Sequence, residues 1–110
     1  MPAISFSTLK DKILSGEKKQ TIRPMLSNYW LNFKKGDRLV GYWKMRTPEC
    51  EKLFESRLSE NPFVVYLGDF DNDLMVKDGF KNINEAMNNW FVPKYGSRPK
   101  IDHFVVIRWE

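Results

Sequence analysis

The sequence predicts an α+β fold, a small mixed β-barrel with two or three short flanking helices, from three observations. Segments that alternate in the manner of strands outnumber those with helical spacing of apolar residues. The helical segments are short. A minority of the strand segments is strongly apolar, as "FVVY" and "FVVI" show. Together these observations favour a mixed sheet that curls into a barrel, with helices covering its ends or side.

In the N-terminal part, alternation predicts a first strand over 3–7. A short amphipathic helix follows, with Ser7 or Thr8 as its N-cap and Gly16 at its end, where a left-handed residue costs least. The next segment, "KKQTIR", alternates and predicts a strand. Pro24 closes this strand, because proline has no N–H to donate to a neighbouring strand.

An irregular, aromatic-rich connection leads from Pro24 to the "KKGD" turn at 34–37. Much later in the chain, a second helix is predicted over 83–91, with Asn82 as its N-cap and its apolar residues in one stripe. The apolar segment 63–70 runs into a turn marked by Gly68-Asp69 and the "DND" of 71–73. Further strands are predicted at 38–45, 52–60, 63–70 and 103–109. Alternation is imperfect in 52–60, so a helix is the alternative there.

Composition limits the class of protein. At 110 residues the chain is expected to form one domain, residues 1–110. One cysteine excludes an internal disulfide, one histidine leaves no Cys/His cluster for zinc, and no motif calls for a cofactor. Without an apolar run of about 20 residues or a signal-peptide pattern, we expect a cytoplasmic protein that does not contact a membrane, and we expect it to be a monomer.

The net charge of +4 favours a polyanionic partner without requiring one. Basic residues dominate the segment 10–44, whereas the segment 49–78 is acidic. We therefore expect the positive field to belong to one face, built mainly by the N-terminal half. A second basic segment, "KYGSRPK" at 94–100, is a candidate phosphate contact, although basic surface loops also serve solubility.

The most informative segment is "GEKKQTIRP", Gly16 to Pro24, which contains the pattern G-x-K-x-x-T-x-R. Together with "ISF", "LKDKILSG", "FKKGDRLVGYW", "DGF", "YG" and "FVVIRW" in this order, it makes nearly the whole chain resemble the ASCH family of the PUA-like superfamily. The pattern itself is the specific part of the resemblance. The resemblance implies a PUA-like β-barrel with a cleft at this strand and an association with RNA or modified nucleosides.

The resemblance also implies site residues. Some ASCH members hydrolyse N(4)-acetylcytidine, with a lysine, a threonine and a distant glutamate as proposed catalytic groups and an arginine beside them. These positions correspond to Lys18, Thr21 and Arg23 here. The glutamate corresponds to Asp78 in "KDGF", which is a departure because Asp is one methylene shorter. From the residues alone, an aspartate before a glycine, such as Asp78, is more often a turn residue than an acid catalyst.

The chemistry is consistent with these residue types. A threonine hydroxyl becomes a nucleophile when a base takes its proton, and a lysine amine does so only if its pKa is depressed. Burial and a nearby arginine would both depress the pKa of Lys18. On a regular strand Lys18 and Thr21 face opposite sides. The two converge only if Lys18 lies in the turn after Gly16, before regular pleating begins.

Several side chains are candidates for binding RNA or substrate: Arg23, Tyr29, Trp30, Tyr42 and Lys19. A base stacks on an aromatic ring while lysine or arginine meets phosphate. The alternatives are purely structural roles: a solvent-exposed basic strand for the lysines, and core packing for the aromatic rings. Trp43, Trp90 and Trp109 lie on apolar patterns, and we expect them in the core.

Three functions remain open from the sequence. The first is an amidohydrolase acting on N(4)-acetylcytidine through Lys18, Thr21 and Asp78. The second is a non-catalytic RNA-binding module that uses the same basic cleft, with Tyr29 or Trp30 as the stacking ring. The third is a metal-independent nuclease for single-stranded RNA.

Overall fold

The structure is a computed structural model, and it describes residues 2–25, 27–91, 93 and 103–110. The basic segment 94–100 therefore lies outside the described residues. The described helices are α1 (Lys10–Ser15), α2 (Asn72–Lys77) and α3 (Ile83–Ala86), and α3 continues as a π-helical segment, Met87–Phe91. The strands are β1 (Ala3–Phe6), β2 (Gln20–Pro24), β3 (Arg38–Trp43), β4 (Glu51–Arg57), β5 (Phe63–Tyr66) and β6 (His103–Arg108).

Within the residues that the structure describes, six strands form two three-stranded sheets, which confirms the mixed α+β class with short flanking helices. In the first sheet β3 lies between β1, to which it is parallel, and β4, to which it is antiparallel. In the second sheet β6 lies between β2 and β5, antiparallel to both. A bridge between Leu58 and Trp109 joins the two sheets at one corner.

The strand β6 explains how the core is organised. Its "FVVI" run is buried throughout, with Phe104 and Val106 in one apolar cluster and Val105 and Ile107 in a second. The first cluster fills the space between the second sheet and the helices α2 and α3. The second cluster lies between the two sheets and includes Ile13 of α1. An uninterrupted apolar run is thus required at β6 because both of its faces are covered.

Two local predictions were wrong. The helix α1 does not use Ser7 or Thr8 as its N-cap, because it begins after Leu9, which adopts a left-handed conformation at φ 60° and provides no side-chain cap. The "DND" segment is not simply a turn. It begins α2, whose N-cap is Asp71, since the Asp71 carboxylate accepts a hydrogen bond from the Leu74 N–H at 2.8 Å.

Other predictions were confirmed. Gly16 ends α1 in the left-handed region at φ 84°, and the Asn82 side chain caps α3 by accepting from the Glu85 N–H. Trp109 is buried in the second cluster. In the described part of the chain no helix has the length and apolar character needed to cross a membrane.

The basic segment 10–44 is partly neutralised by the acidic segment 49–78. Among the described ion pairs, four join a basic residue of this segment to the acidic one: Lys10–Glu51, Lys18–Asp78, Arg38–Glu55 and Lys44–Glu49. Three of these pairs have partly exposed side chains and contribute little stability each. The fourth, Lys18–Asp78, is buried.

Gly41 on β3 makes room for an aromatic ring, and replacing it is expected to destabilise the fold. Phe54 on β4 lies opposite Gly41 and stacks on Trp109 at 4.8 Å between ring centroids. A Cβ atom at position 41 would lie 2.2 Å from Phe54 Cε1. We expect Gly41→Ala to lower the free energy of unfolding by about 1–3 kcal/mol, measured by urea denaturation.

The matched control is Gly68→Ala. A Cβ atom there would meet nothing within 4 Å. We expect its effect on the free energy of unfolding to stay within about 0.5 kcal/mol. Equal losses at the two positions would contradict the role of Phe54.

Candidate functional site

The G-x-K-x-x-T-x-R segment lies along a cavity of about 120 Å³. We call it the Lys18 cavity. It is lined by residues from the end of β1 and the turn before α1, from β2, and from the loop after α2, and Trp90 of the π-helical segment completes the wall. The lining residues are Ser5–Leu9, Lys18, Thr21–Pro24, Asp78, Phe80 and Trp90.

Lys18 reaches the cavity because it precedes the pleated part of the strand. The left-handed Gly16 reverses the chain after α1, and the Lys18 N–H donates to the Lys12 carbonyl oxygen at 3.0 Å. Regular pairing with β6 starts only at Gln20. The expected condition for convergence is thus met, and Lys18 and Thr21 line the same cavity.

The central feature of the cavity is a buried ion pair. Lys18 Nζ lies 3.1 Å from Asp78 Oδ2, and it also donates to the Asp78 backbone carbonyl oxygen at 2.6 Å. The Lys18 side chain is only 5% exposed and that of Asp78 only 7%. The shorter aspartate therefore reaches the lysine in this chain.

The loop after α2 is held in place by a second lysine. Lys12 Nζ of α1 donates to the Gly79 carbonyl oxygen at 2.6 Å. Gly79 adopts φ 102°, a conformation that L-residues rarely take. Two lysines thus bind consecutive carbonyl groups at the end of α2, where a helix carries partial negative charge.

Burial shifts the proton equilibria of both partners toward their neutral forms. It lowers the pKa of Lys18 below its ordinary value of 10.5, although the Asp78 charge opposes this, and the charges of Arg23 and Lys12 lower it further. Burial likewise raises the pKa of Asp78 above its ordinary value of 3.8, against the opposing effect of Lys18. A lysine with a lowered pKa is suited to accept a proton.

Thr21 and Arg23 share one face of β2, as alternation requires. Arg23 Nε donates to Thr21 Oγ1 at 3.2 Å, and Arg23 Nη2 donates to the Ser5 carbonyl oxygen. The guanidinium also lies 5.2 Å from the centre of the Phe6 ring. Because a guanidinium only donates, Thr21 Oγ1 is the acceptor and its own proton is directed elsewhere.

The other predicted binding residues do not line this cavity. Tyr29 and Trp30 lie in a 3₁₀ turn and pack edge-on against each other and near Phe33, with Tyr29 about half exposed. Tyr42 is half-buried on β3. Lys19 points to a separate groove, which also includes Gly16 and Trp109. Their role in binding RNA stays a prediction.

The sequence pattern missed three aromatic lining residues, Phe6, Phe80 and Trp90. Trp90, expected in the core, is half-buried and lines the cavity together with Phe80. Both residues also pack against the first apolar cluster. Their apolar spacing is the same for a core residue and for a residue on a cavity wall, so spacing alone does not separate the two cases.

Comparison with known proteins defines the fold. No protein-family model and no curated protein sequence matches the chain. Among solved structures, it is similar to protein EF3133 from Enterococcus faecalis V583, described with the family DUF984, at TM-score 0.69 and 12% identity, covering 100% of this chain and 75% of that one. It is also similar to an ASCH domain from Lactobacillus crispatus JV V101, at TM-score 0.61 and 12% identity, covering 99% of this chain and 79% of that one.

These similarities define the class of protein as an α+β domain with an ASCH-like fold. The resemblance seen in the sequence is thereby confirmed at the level of the fold.

Proposed function

We propose that the Lys18 cavity binds a nucleoside or an RNA nucleotide and hydrolyses the exocyclic amide of an N(4)-acylated cytidine. The observation that carries the proposal is the buried Lys18–Asp78 pair, 3.1 Å apart, in the same cavity as the Thr21 hydroxyl. These groups suit acyl transfer. A lysine with a lowered pKa can act as the base, the hydroxyl as the nucleophile, and the adjacent cation can stabilise the developing negative charge. The ASCH-like fold is consistent with an RNA-related ligand.

In the proposed first step, Thr21 Oγ1 attacks the amide carbonyl carbon, and its proton passes to the neutral amine of Lys18. The positive charge of Arg23, 3.2 Å from that oxygen, favours the developing alkoxide. The C–N bond then breaks, and the Lys18 ammonium protonates the departing N4 of cytidine. The acyl group is left as an ester on Thr21.

In the second step, water attacks the ester carbonyl and gives a proton to Lys18. The ester C–O bond breaks, Thr21 Oγ1 recovers a proton from Lys18, and the acid is released. Asp78 keeps the amine oriented throughout through its 3.1 Å contact. It also limits how far burial can lower the pKa of Lys18, so the amine remains a useful base.

The size of the cavity supports a base-sized ligand. Pockets for drug-sized molecules commonly measure about 300–1,000 Å³. The Lys18 cavity, at about 120 Å³, is smaller, and Trp90 and Phe80 give it an apolar wall beside its polar residues. An aromatic side chain beside a planar base is the usual arrangement for recognising an unpaired nucleotide.

The proposal predicts release of cytidine from N(4)-acetylcytidine by the purified protein, followed by chromatography. Thr21→Val keeps the shape of the side chain but removes the hydroxyl, so we expect kcat to fall by on the order of 10³-fold or more. Thr21→Ser keeps the hydroxyl and should retain measurable turnover. Turnover that survives in Thr21→Val would contradict a nucleophilic role for Thr21.

The same preparations separate the alternatives. Absence of turnover, together with RNA affinity that weakens steeply with salt, would support the non-catalytic RNA-binding module instead, because phosphate neutralisation releases counterions. Cleavage of labelled single-stranded RNA would support the nuclease. A fully intact strand would count against it.

A further inference from the structure

A chain of hydrogen bonds runs behind the Lys18 cavity and ends at Asp78. Arg108 Nε of β6 donates to Gln20 Oε1 at 2.7 Å, and Gln20 Nε2 donates to Asp78 Oδ1 at 3.3 Å. Asp78 Oδ2 faces Lys18 at 3.1 Å. Gln20 is only 1% exposed and does not line the cavity, so it reaches the site only through Asp78.

The orientation of the Gln20 amide follows from its partners. A guanidinium only donates, so the end of the amide that faces Arg108 must be the oxygen. The other end lies 2.9 Å from the Leu74 carbonyl oxygen, which only accepts, so it must be the NH₂ group. A flipped amide would place its NH₂ group against the Arg108 donor and its oxygen against the Leu74 carbonyl oxygen. The partners therefore fix the orientation without any hydrogen being observed.

The fixed orientation has a consequence for Asp78. Gln20 presents an N–H to Oδ1, which favours the charged carboxylate and disfavours a proton on that oxygen. It thereby opposes the effect of burial, which raises the pKa of Asp78. The charged groups facing Lys18 are Lys12 from α1, Arg23 from β2 and Asp78 after α2. Burial and the two cations lower the pKa of Lys18, and the Asp78 carboxylate raises it.

We propose that Gln20 is a positioning residue that, held by Arg108, offers only N–H donors to Asp78 and so keeps the carboxylate charged with Oδ2 directed at Lys18. The inference deepens the proposed function, since Lys18 is its base, and it rests on that function for its catalytic meaning. Position 20 requires an amide for this role, because it needs an acceptor at one end and donors at the other.

The test uses the full chain and two variants. Gln20→Met keeps the length of the side chain without its polar atoms. Arg108→Met leaves the buried Gln20 in place but removes the guanidinium that orients its amide. The first readout is the titration midpoint of Lys18 Nζ, followed by NMR on protein with isotope-labelled lysine. We expect the midpoint to move down in both variants, more in Gln20→Met, because the anion beside Lys18 is less well stabilised.

Kinetics give the second readout. With N(4)-acetylcytidine, we expect Gln20→Met to lower the high-pH plateau of kcat about tenfold, with KM unchanged, because Asp78 no longer holds the amine in its productive orientation; this is the size of effect typical for losing one hydrogen bond to a charged group. The acidic limb of the pH–rate profile should shift to lower pH together with the Lys18 midpoint. A merely structural role would lower stability without moving that limb.

Two controls distinguish the outcomes. Glu60→Gln changes another side-chain hydrogen-bond partner of Arg108, at 3.1 Å, and should leave the Lys18 midpoint where it is in the wild type. Leu39→Val perturbs the second apolar cluster without touching the chain of hydrogen bonds, and it reports the effect of lost stability alone. An unchanged Lys18 midpoint in both Gln20→Met and Arg108→Met would overturn the proposal.

The failure of the proposed function would be seen separately. If the wild-type protein releases no cytidine, the amidohydrolase is excluded, while the NMR titration still decides whether Gln20 controls the ionisation of the pair. If the wild type is active and the Lys18 midpoint does not respond to either variant, the positioning role is excluded and the activity stands.

Discussion

Lys18→Met is expected to lower kcat/KM for N(4)-acetylcytidine by about 10²–10⁴-fold, the usual contribution of a general acid–base group. Methionine has a similar length but has no amine to accept the proton of Thr21. In the wild type, kcat/KM should rise with pH through a midpoint below 10.5, because burial lowers the pKa of Lys18 and the neutral amine is the active form. Steady-state kinetics over a series of pH values measure both effects.

Lys19→Met is the matched control for this prediction. Lys19 is the neighbouring lysine, yet it lies along a separate groove with Gly16 and Trp109. We expect its nucleoside turnover to equal that of the wild type. Equal losses in the two lysine variants, or a pH profile of Lys18→Met with the same rising limb as the wild type, would exclude Lys18 as the base.

Asp78→Asn is expected to lower the free energy of unfolding by about 3–5 kcal/mol, because removing one member of a buried ion pair leaves the other charge buried without compensation. Both side chains of the pair are almost fully buried, so solvent screens this interaction little. Asparagine keeps an oxygen that accepts from Gln20. Urea denaturation at neutral pH measures the loss.

A double-mutant cycle isolates the interaction from the substitutions themselves. The double variant Lys18→Met/Asp78→Asn carries no buried charge at this position, so its loss of stability should be clearly smaller than the sum of the two single losses. Additive losses would show that the 3.1 Å contact contributes no coupling.

The pH dependence of stability gives an independent check on the same pair. The pKa of Lys18 is lower in the folded state than in the unfolded chain, so between these two values the folded state binds fewer protons. The free energy of unfolding should therefore gain a contribution as pH rises toward 10.5, and the cost of the buried charge is fully present below the folded-state pKa. Lys18→Met should lack this contribution.

Local signals identified much of the site from the sequence. The glycine that ends α1 and the alternation of β2 are consequences of backbone chemistry within a few residues. They were sufficient to predict that Thr21 and Arg23 share a face, and to state the condition for convergence, namely that Lys18 lies in the turn before the pleated strand. The proximity of Asp78 came from the family resemblance. Asp78 lies 60 positions from Lys18 along the chain, and no local pattern in the sequence indicates that the two residues meet.

The parts that were missed depend on long-range register or on exposure. Gln20 contacts Leu74, Asp78 and Arg108, which are 54, 58 and 88 residues away. A strand pattern gives the face of a residue but not its partner in a neighbouring element. The helix α2 was missed although Asp71 provides an ordinary capping signal, because "DND" is also frequent in turns.

The burial of β6 on both faces has a consequence for how the molecule acquires its structure. The site residues of β2 come early in the chain, whereas the strand that pairs with them begins at position 103. Closing such a long loop carries a large entropic cost before any contact repays it, and folds dominated by distant pairings assemble slowly. The ionisable pair is therefore expected to acquire its properties only near the end of folding, when the last strand enters between two otherwise unfinished cores.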